Sequence, residues 1–284
     1  MCHFGLVKID LLLFQVGSDA GSLATTATRL QSGGWRLDGH KRWIGNAPFA
    51  DVAVVFARDI ADGDVKAFVL QPKGLPGWHV TKMENKTGMR VVQNGDIVLT
   101  GVEVPEANRL PKCSSFKDAT AALAASRLIV AWQPVGMAMG VYDMCLRYTS
   151  ERRQFGAPLN ALAINQEKLM RMLATVQGML LVVWRVTRLA EAGQASPGMI
   201  SLAKSSLTAR GREVAGLGRE LMGGNGILHE FHCAKVFNDM EACHTYEGTY
   251  DINMLVAARE VTGQAAFKPT RPSPPPPPPA PAVQ

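Results

Sequence analysis

A single acidic side chain, Glu247, stands between an aromatic residue and a glycine in the stretch TYEGTYDIN, residues 245–253. Carboxylates are among the groups that proteins use to take up and release protons in catalysis. An isolated Tyr-Glu-Gly is nevertheless more typical of a solvated surface turn. The role of Glu247 therefore depends on the other elements that the chain brings to it.

An arginine and an aromatic ring lie together in RQFG, residues 153–156, at the junction between two predicted helices. A guanidinium can bind a phosphate through two parallel hydrogen bonds, and Phe155 can stack on a flat ring. An exposed arginine beside a turn phenylalanine is the alternative, and it is more common for the motif alone. The motif KRWIGN, residues 41–46, is also ambiguous, because its Trp and Asn are typical of a core aromatic and a turn amide.

Two other clusters contain ligand-type residues without the spacing of known sites. GGNG, residues 223–226, lacks the Lys-Ser/Thr of a P-loop and follows a helix, so neither a P-loop nor a Rossmann fingerprint applies. A helix C-terminal turn is its more common use. Residues of metal-binding type are His229, His232, Cys233, Cys243 and His244. Since HEFHC is not H-E-x-x-H and the other spacings match no common zinc site, we predict no metal site.

The elements that must position these residues change character along the chain. From Gly33 to about Val104, short alternating apolar and polar runs are separated by Gly, Asp, Asn and Pro, which predicts an antiparallel sheet or a small barrel. Residues 33–46 are expected to form a hairpin that turns at Asp38-Gly39.

After Phe116 the chain becomes rich in Ala, Leu and Met, with few turn signals. The predicted helices cover residues 118–149, 159–192, 198–222 and 249–262. In the second helix, apolar residues recur every three or four positions, so one wide stripe is buried and Gly193 ends the helix. Gly136 and Gly140 in the first helix are expected to allow a close approach of another helix. Antiparallel helices of this length imply a bundle.

The predicted fold class is therefore α+β, with a middle antiparallel β-domain followed by a C-terminal four-helix bundle. The expected organisation is an atypical N-terminus over residues 1–16, a β-domain over 17–112, a helical bundle over 113–268 and a proline-rich tail over 269–284. Because six consecutive prolines in the tail form no internal hydrogen bonds, we expect it to be disordered or extended.

Composition excludes several function classes. The formal net charge of +6 is modest for 284 residues and the basic residues are scattered, which argues against nucleic acid and favours a small anionic ligand. The five cysteines lack C-x-x-C spacing, which indicates a reducing compartment and no disulfide framework. No run approaches the ~20 uninterrupted apolar residues that a membrane span needs. The apolar run over residues 11–14 has no clear cleavage site, so we expect no signal peptide.

The order of several motifs is more specific than any one of them. GSDAG, WIGN, KTGMR, RRQFG, GGNG and YEGT follow one another over strands and then helices. This order resembles the acyl-CoA dehydrogenase and acyl-CoA oxidase family from about Gly17 to Lys268. Within that family, the plant peroxisomal short-chain acyl-CoA oxidases, which are similar to glutaryl-CoA dehydrogenase, look most alike. The resemblance implies a middle β-domain, a C-terminal four-helix bundle, FAD at a subunit interface and a homodimer or homotetramer.

The resemblance also implies roles for the residues around Glu247. Glu247 matches the catalytic base that removes the α-proton of an acyl thioester while the β-hydride passes to the flavin. Gly248 lets the thioester approach the backbone, where the Glu247 amide can donate to its carbonyl. The positions expected to contact the acyl-CoA are Ser18 and Arg127, at the CoA portion, with Tyr246 and Gly248.

The same resemblance implies a set of FAD contacts. Trp43, Ile44 and Gly45 match a strand segment beside the flavin ring, although many relatives have Thr or Ser in place of the glycine. Thr249, a plausible N-cap, and Asn253 share a helix face that resembles the FAD-contacting one. The positions that match contacts with the FAD pyrophosphate and adenine, often made across a dimer, are Arg153, Phe155, Gln166, Gly223, Gly224, Asn225 and Gly226.

The sequence also departs from the family. LLLFQV stands where relatives carry a flavin-binding Thr-Glu-Pro segment, no counterpart of the N-terminal helical domain is evident, and the C-terminal peroxisomal tripeptide is replaced by the proline tail.

The expected function is FAD-dependent dehydrogenation of short-chain acyl-CoA in fatty acid β-oxidation, with oxygen as acceptor, hydrogen peroxide as second product and the peroxisome as compartment. The alternatives are a non-catalytic remnant of the fold, or a glutaryl-CoA dehydrogenase of the mitochondrial matrix.

Overall fold

The N-terminal half of the chain forms a seven-stranded mixed sheet. The computed structural model describes residues 9–12 and 17–265, and the predicted proline tail and most of the predicted atypical N-terminus lie outside them. The strands are β1 (Ile9–Leu12), β2 (Thr26–Arg29), β3 (Trp35–Gly45), β4 (Val52–Asp59), β5 (Val65–Leu70), β6 (Trp78–Lys82) and β7 (Asn94–Val104). Their order is β1-β4-β2-β3-β7-β6, with β5 paired to the strand β4.

The predicted fold class is confirmed, with one difference in the sheet. Most pairings are antiparallel, but β1 and β2 both pair with β4 in parallel. Strand β3 runs antiparallel to β2. The chain then crosses to the other edge of β2, where β4 runs in the same direction as β2 and pairs with it in parallel. The buried side chains of the sheet form a hydrophobic core that includes Trp35, Leu37, Phe68, Ile97 and Val102.

The predicted hairpin at Asp38-Gly39 is wrong. Residues 35–45 form one strand, and its register against β7 shifts between Leu37 and Gly39, which marks a bulge rather than a turn. A Cβ at Gly39 would lie 2.8 Å from the Cα of Thr25, so the glycine permits a close backbone approach. In this part of the sheet, a hairpin instead joins β2 to β3 and turns over residues 30–34.

Lys41 is a fully buried cation within the β-domain core. Its Nζ donates to the carbonyl of Phe56 at 2.7 Å, and no carboxylate in the described part of the chain forms an ion pair with it. Burial lowers the pKa of Lys41 from 10.5 to about 7.

Stability should therefore depend on the proton bound by Lys41. Between pH 7 and 10.5 the unfolded chain holds a proton that the folded chain lacks, so this residue makes the free energy of unfolding rise with pH across that window. Lys41→Met removes the contribution. Urea denaturation of both proteins across the window should show a steeper rise for wild type, whereas parallel curves would contradict the assignment.

Five α-helices follow the sheet. They are α1 (Phe116–Glu151), α2 (Ala163–Glu191), α3 (Pro197–Leu221), α4 (Cys233–Thr245) and α5 (Tyr250–Thr262). The four predicted helices are confirmed to within a few residues, but α4 was not predicted. Local signals set their ends: Ser196 Oγ caps α3 by accepting from the amide of Met199, and α2 ends just before the left-handed Gly193.

Helix α3 is the centre of the bundle and packs against the other four helices. The predicted close approach at Gly136 and Gly140 does not occur within the described part of one chain, where no atom of a neighbouring element would lie within 4 Å of a Cβ at either position. The close contacts occur instead on α3. A Cβ at Gly211 would lie 2.7 Å from Met240 Cε, and one at Gly218 would lie 2.3 Å from Val141 Cγ1.

Helix α2 is apolar on both its inner and its outer side. By length and composition it is the one helix of the described chain that could cross a membrane, and a third of its most apolar window is buried in the bundle. The inner stripe includes Met172, Met179 and Val183, while Leu181 and Trp184 are exposed. The buried stripe agrees with the predicted periodicity and makes α2 one wall of the bundle core.

Candidate active site

Glu247 lies in a tight loop, residues 246–249, between α4 and α5. Glu247 and Gly248 both have left-handed backbone conformations, with φ of 57° and 86°. A Cβ at position 248 would lie 2.9 Å from Asn253 Nδ2, so the loop requires glycine there. Thr249 caps α5 as predicted, because its Oγ1 accepts from the amide of Ile252 at 3.3 Å.

The half-buried carboxylate of Glu247 faces helix α1. Ser126 Oγ donates to Glu247 Oε1 at 2.6 Å, and the next residue, Arg127, donates through Nε to the Glu247 carbonyl at 3.3 Å. The Nη1 of Arg127 donates in turn to the buried Ser201 on α3 at 3.0 Å. Donors on α1 therefore hold both the side chain and the backbone of Glu247.

Tyr246 precedes Glu247 in this loop, and its phenol carries no charge. Its hydroxyl donates to Gln133 Oε1 on α1. Burial, aided by the adjacent Cys243, raises the pKa of the Tyr246 phenol well above its usual value, so the ring stays neutral.

The inner side of the loop is held by side chains from the bundle core. Asn253 is fully buried, and its Nδ2 donates to the carbonyls of Glu247, Gly248 and Thr249 at 3.4, 2.8 and 3.1 Å. No donor in the described residues reaches Asn253 Oδ1. In this chain, Asn253 is therefore a support of the loop, and its predicted FAD contact stays a prediction.

The RQFG motif forms a second region, the tip of a small hairpin. Strands β8 (Arg153–Gln154) and β9 (Ala157–Pro158) are joined by Phe155 and Gly156, whose φ values of 55° and 76° match a two-residue type I′ turn. The ring of Phe155 is 94% exposed. Arg153 Nη2 donates to the Gly156 carbonyl at 2.8 Å, and Gln166 nearby in the chain donates to the Asn160 carbonyl.

The GGNG motif forms a third region, a 3₁₀ turn over Gly223–Ile227 directly after α3. Asn225 Nδ2 donates to the hydroxyl of Tyr148 at 3.0 Å, which ties the turn to α1. A Cβ at Gly226 would lie 2.2 Å from the carbonyl oxygen of Arg219, so the turn folds tightly onto the end of α3.

The segment beside the predicted flavin ring is a fourth region, on β3. Trp43 has φ of 65° at a second register shift of that strand and is 60% exposed, while Ile44 is buried. Asn94 Nδ2 donates to the Trp43 carbonyl at 3.1 Å. Ser18 is exposed in a turn before β2.

One chain thus brings together only part of the predicted site. Glu247, Tyr246, Gly248 and Arg127 meet around the loop, whereas no hydrogen bond among the described residues links this loop to the other three regions. Sequence reasoning missed Ser126 and Lys204, which both reach the loop. The only sequence feature that could have indicated Lys204 is its position on the apolar stripe of α3, between Ile200 and Leu207.

The residues of metal-binding type serve other purposes. Cys233 and Cys243 are buried in the bundle, and His244 stacks on Tyr250 and contacts Thr208 Oγ1 through Nδ1. Within the described residues, no group of three His, Cys, Asp or Glu side chains is arranged to hold a metal ion.

Comparison with known proteins assigns the chain to a family. Residues 116–262 match the C-terminal domain of acyl-CoA dehydrogenases, and residues 14–102 match their middle domain. The chain belongs to the acyl-CoA dehydrogenase family. It is 31% identical to the human mitochondrial short-chain specific acyl-CoA dehydrogenase over 246 residues, which cover 85% of this chain and 59% of that protein. The chain therefore spans about three-fifths of the length of such relatives.

Solved structures of the family have the same fold. A glutaryl-CoA dehydrogenase from Mycobacterium smegmatis superposes with a TM-score of 0.87 at 30% identity, covering 92% of this chain and 67% of that one. A glutaryl-CoA dehydrogenase from Mycobacterium smegmatis has also been solved in complex with FADH2. The butyryl-CoA dehydrogenase of Megasphaera elsdenii gives a TM-score of 0.84 at 28% identity, covering 89% of this chain and 68% of that one.

Proposed function

We propose that this chain carries the catalytic base and part of the FAD site of a short-chain acyl-CoA dehydrogenating enzyme. The observation that supports this most strongly is the Glu247 loop, in which Ser126 donates to the half-buried carboxylate and Arg127 donates to the backbone carbonyl of Glu247, beside a glycine. The reaction converts a saturated acyl-CoA into the trans-2-enoyl thioester.

In this proposal Glu247 takes the α-proton of the thioester. The hydrogen bond from Ser126 orients the carboxylate, and Arg127 keeps its backbone in place. Among the described residues the Glu247 amide has no acceptor, which leaves it available to donate to the thioester carbonyl and stabilise the charge that develops there. Gly248 presents no Cβ on this side of the loop.

The proposed FAD contacts are chemically suited to a dinucleotide. Trp43 and Phe155 are exposed rings on rigid, left-handed backbone, a surface on which flat rings stack, and Arg153 supplies charge for a pyrophosphate. The backbone of residues 223–226 and the side chain of Gln166 would complete the contacts. When bound, FAD supplies the acceptor for the hydride that leaves the β-carbon. The resemblance to the family favours FAD sites shared between two copies.

The finer assignments concern the substrate, the electron acceptor and the compartment. Short-chain acyl-CoA is favoured by the short-chain and butyryl-CoA relatives, and glutaryl-CoA is a second candidate because a glutaryl-CoA dehydrogenase superposes closely. Oxygen as the acceptor, with hydrogen peroxide as product, is supported only by the sequence resemblance to oxidases. As the compartment, the mitochondrial matrix is favoured over the peroxisome, because relatives such as the bovine and human short-chain enzymes are mitochondrial.

Purified protein tests these choices directly. A visible flavin absorbance band that bleaches with butyryl-CoA supports the proposal, and a colourless protein that also fails to take up added FAD identifies a non-catalytic remnant. Release of carbon dioxide from glutaryl-CoA would select the second candidate. Hydrogen peroxide formed in air, compared with turnover on an added electron acceptor, separates oxidase from dehydrogenase.

Ser126→Ala should lower kcat by about tenfold, because a hydrogen bond to a charged group contributes roughly 1.5–3 kcal/mol. KM should change little, since the hydroxyl orients the base rather than the substrate. Ser126→Thr, which keeps the hydroxyl, is the matched control. A kcat for Ser126→Ala equal to that of wild type would show that the contact does not orient Glu247.

A further inference from the structure

Lys204 on α3 is a second fully buried cation, and it lies directly beneath the Glu247 loop. Its Nζ donates to the carbonyl of Gly248 at 2.7 Å and reaches the carbonyl of His244 at 3.4 Å. No carboxylate in the described residues forms an ion pair with it. Burying a charge is costly, and part of that cost is offset by the hydrogen-bond partners of the ammonium among the described residues, which are backbone carbonyls of the loop and of the end of α4.

The loop carbonyls are held by side chains from three helices. Arg127 on α1 and Asn253 on α5 donate to the carbonyl of Glu247, and Lys204 on α3 and Asn253 donate to the carbonyl of Gly248. The left-handed conformation costs Glu247 roughly 1–2 kcal/mol, which these donors must offset. A peptide group that is bonded from the core cannot rotate without losing these contacts.

We propose that Lys204 is a positioning residue for the catalytic loop: its ammonium fixes the Gly248 carbonyl and thereby keeps the Glu247 carboxylate at Ser126. Lys204 does not contact the substrate in this account and acts only through the loop. The catalytic consequence rests on the proposed function, whereas the effect on the loop does not.

The protonation state of Lys204 agrees with this role. Burial lowers its pKa from 10.5 to about 8, while the charges of Cys243 and Glu247 oppose the decrease and that of Arg127 adds to it. At neutral pH the side chain therefore remains an ammonium, the form that donates most strongly to a carbonyl.

The decisive variant is Lys204→Met, which removes the ammonium and keeps an unbranched apolar stem. Its matched control is Thr208→Val, one turn further along α3. Thr208 is also fully buried; its hydroxyl donates to carbonyls of α3 itself and contacts His244 Nδ1 at 3.1 Å. The control thus removes a buried polar group of the same helix without touching a carbonyl of the loop.

Hydrogen–deuterium exchange measures the loop in the purified full chain, with or without flavin. The amides that mark its two ends are Tyr246, bonded to the Ala242 carbonyl, and Ile252 and Asn253, bonded to Thr249. Exchange at these amides should be about tenfold faster in Lys204→Met and unchanged in Thr208→Val. Wild-type exchange rates in a folded Lys204→Met would overturn the proposal.

If Lys204→Met does not fold, Lys204→Leu, which also lacks a hydrogen-bond donor, takes its place under the same criterion. In flavin-loaded protein, kcat of Lys204→Met should fall about 10²-fold with KM nearly unchanged, and Lys204→Arg should restore part of it. Equal losses of kcat in Lys204→Met and Thr208→Val would overturn the positioning role. A wild-type protein that binds no flavin contradicts the proposed function, yet its exchange rates still decide the role of Lys204.

Discussion

Glu247→Gln will bind FAD as wild type does and will turn over acyl-CoA at least about 10³-fold more slowly, because it removes the proposed base. Glutamine has the same length and keeps an oxygen that accepts the hydrogen bond from Ser126, so the loop should not rearrange. It cannot take up the α-proton. Steady-state kcat and the visible flavin absorbance of the two proteins measure both parts of the prediction.

A matched control for this substitution lies on α4. Glu241 is exposed and forms an ion pair with Arg212 at 2.7 Å, away from the loop carbonyls. Glu241→Gln should keep wild-type activity. A Glu247→Gln protein that dehydrogenates at a near-native rate would show that another group removes the proton.

The second large effect concerns stability. Gly218→Ala should lower the free energy of unfolding by about 1–3 kcal/mol, because the added Cβ would lie 2.3 Å from Val141 Cγ1 and 3.2 Å from Cys145 Sγ. Both neighbours are fully buried on α1, so the two helices must move apart to accept the methyl group. Urea denaturation measures the change.

Gly216, two residues earlier on the same helix, provides the control. A Cβ there would have no neighbour within 4 Å in the described part of the chain, so Gly216→Ala should raise the free energy of unfolding by about 0.5–1 kcal/mol through the better helix propensity of alanine. Equal effects of the two alanines would mean that helix propensity, rather than the contact between α1 and α3, determines stability at both positions.

Sequence reasoning succeeded where the determining signal is local. Gly193 ends α2 and Thr249 caps α5, and each acts on backbone within a few residues. The proposal that Glu247 is the base depended on YEGT occurring with other motifs in family order. The same reasoning gave the fold class, since strand and helix periodicities occupy separate halves of the chain.

It failed where distant partners decide. Asp38-Gly39 has the composition of a hairpin turn, but pairing with β7 on one edge and the approach of Thr25 make it a bulge. Whether Gly136 or Gly218 meets another helix depends on which face of each helix is buried. Lys204 joins the site only because α3 passes beneath a loop that lies more than forty residues later in the chain.

The central claim is that the Glu247 carboxylate removes the α-proton of an acyl thioester. Anaerobic mixing of the flavin-loaded protein with butyryl-CoA, followed by the loss of flavin absorbance, tests it most directly. We predict stoichiometric formation of the enoyl thioester, a slower loss with substrate deuterated at the α-carbon, and no loss in Glu247→Gln. An absorbance band that persists at saturating butyryl-CoA and glutaryl-CoA, or one that bleaches equally fast in Glu247→Gln, would contradict the claim.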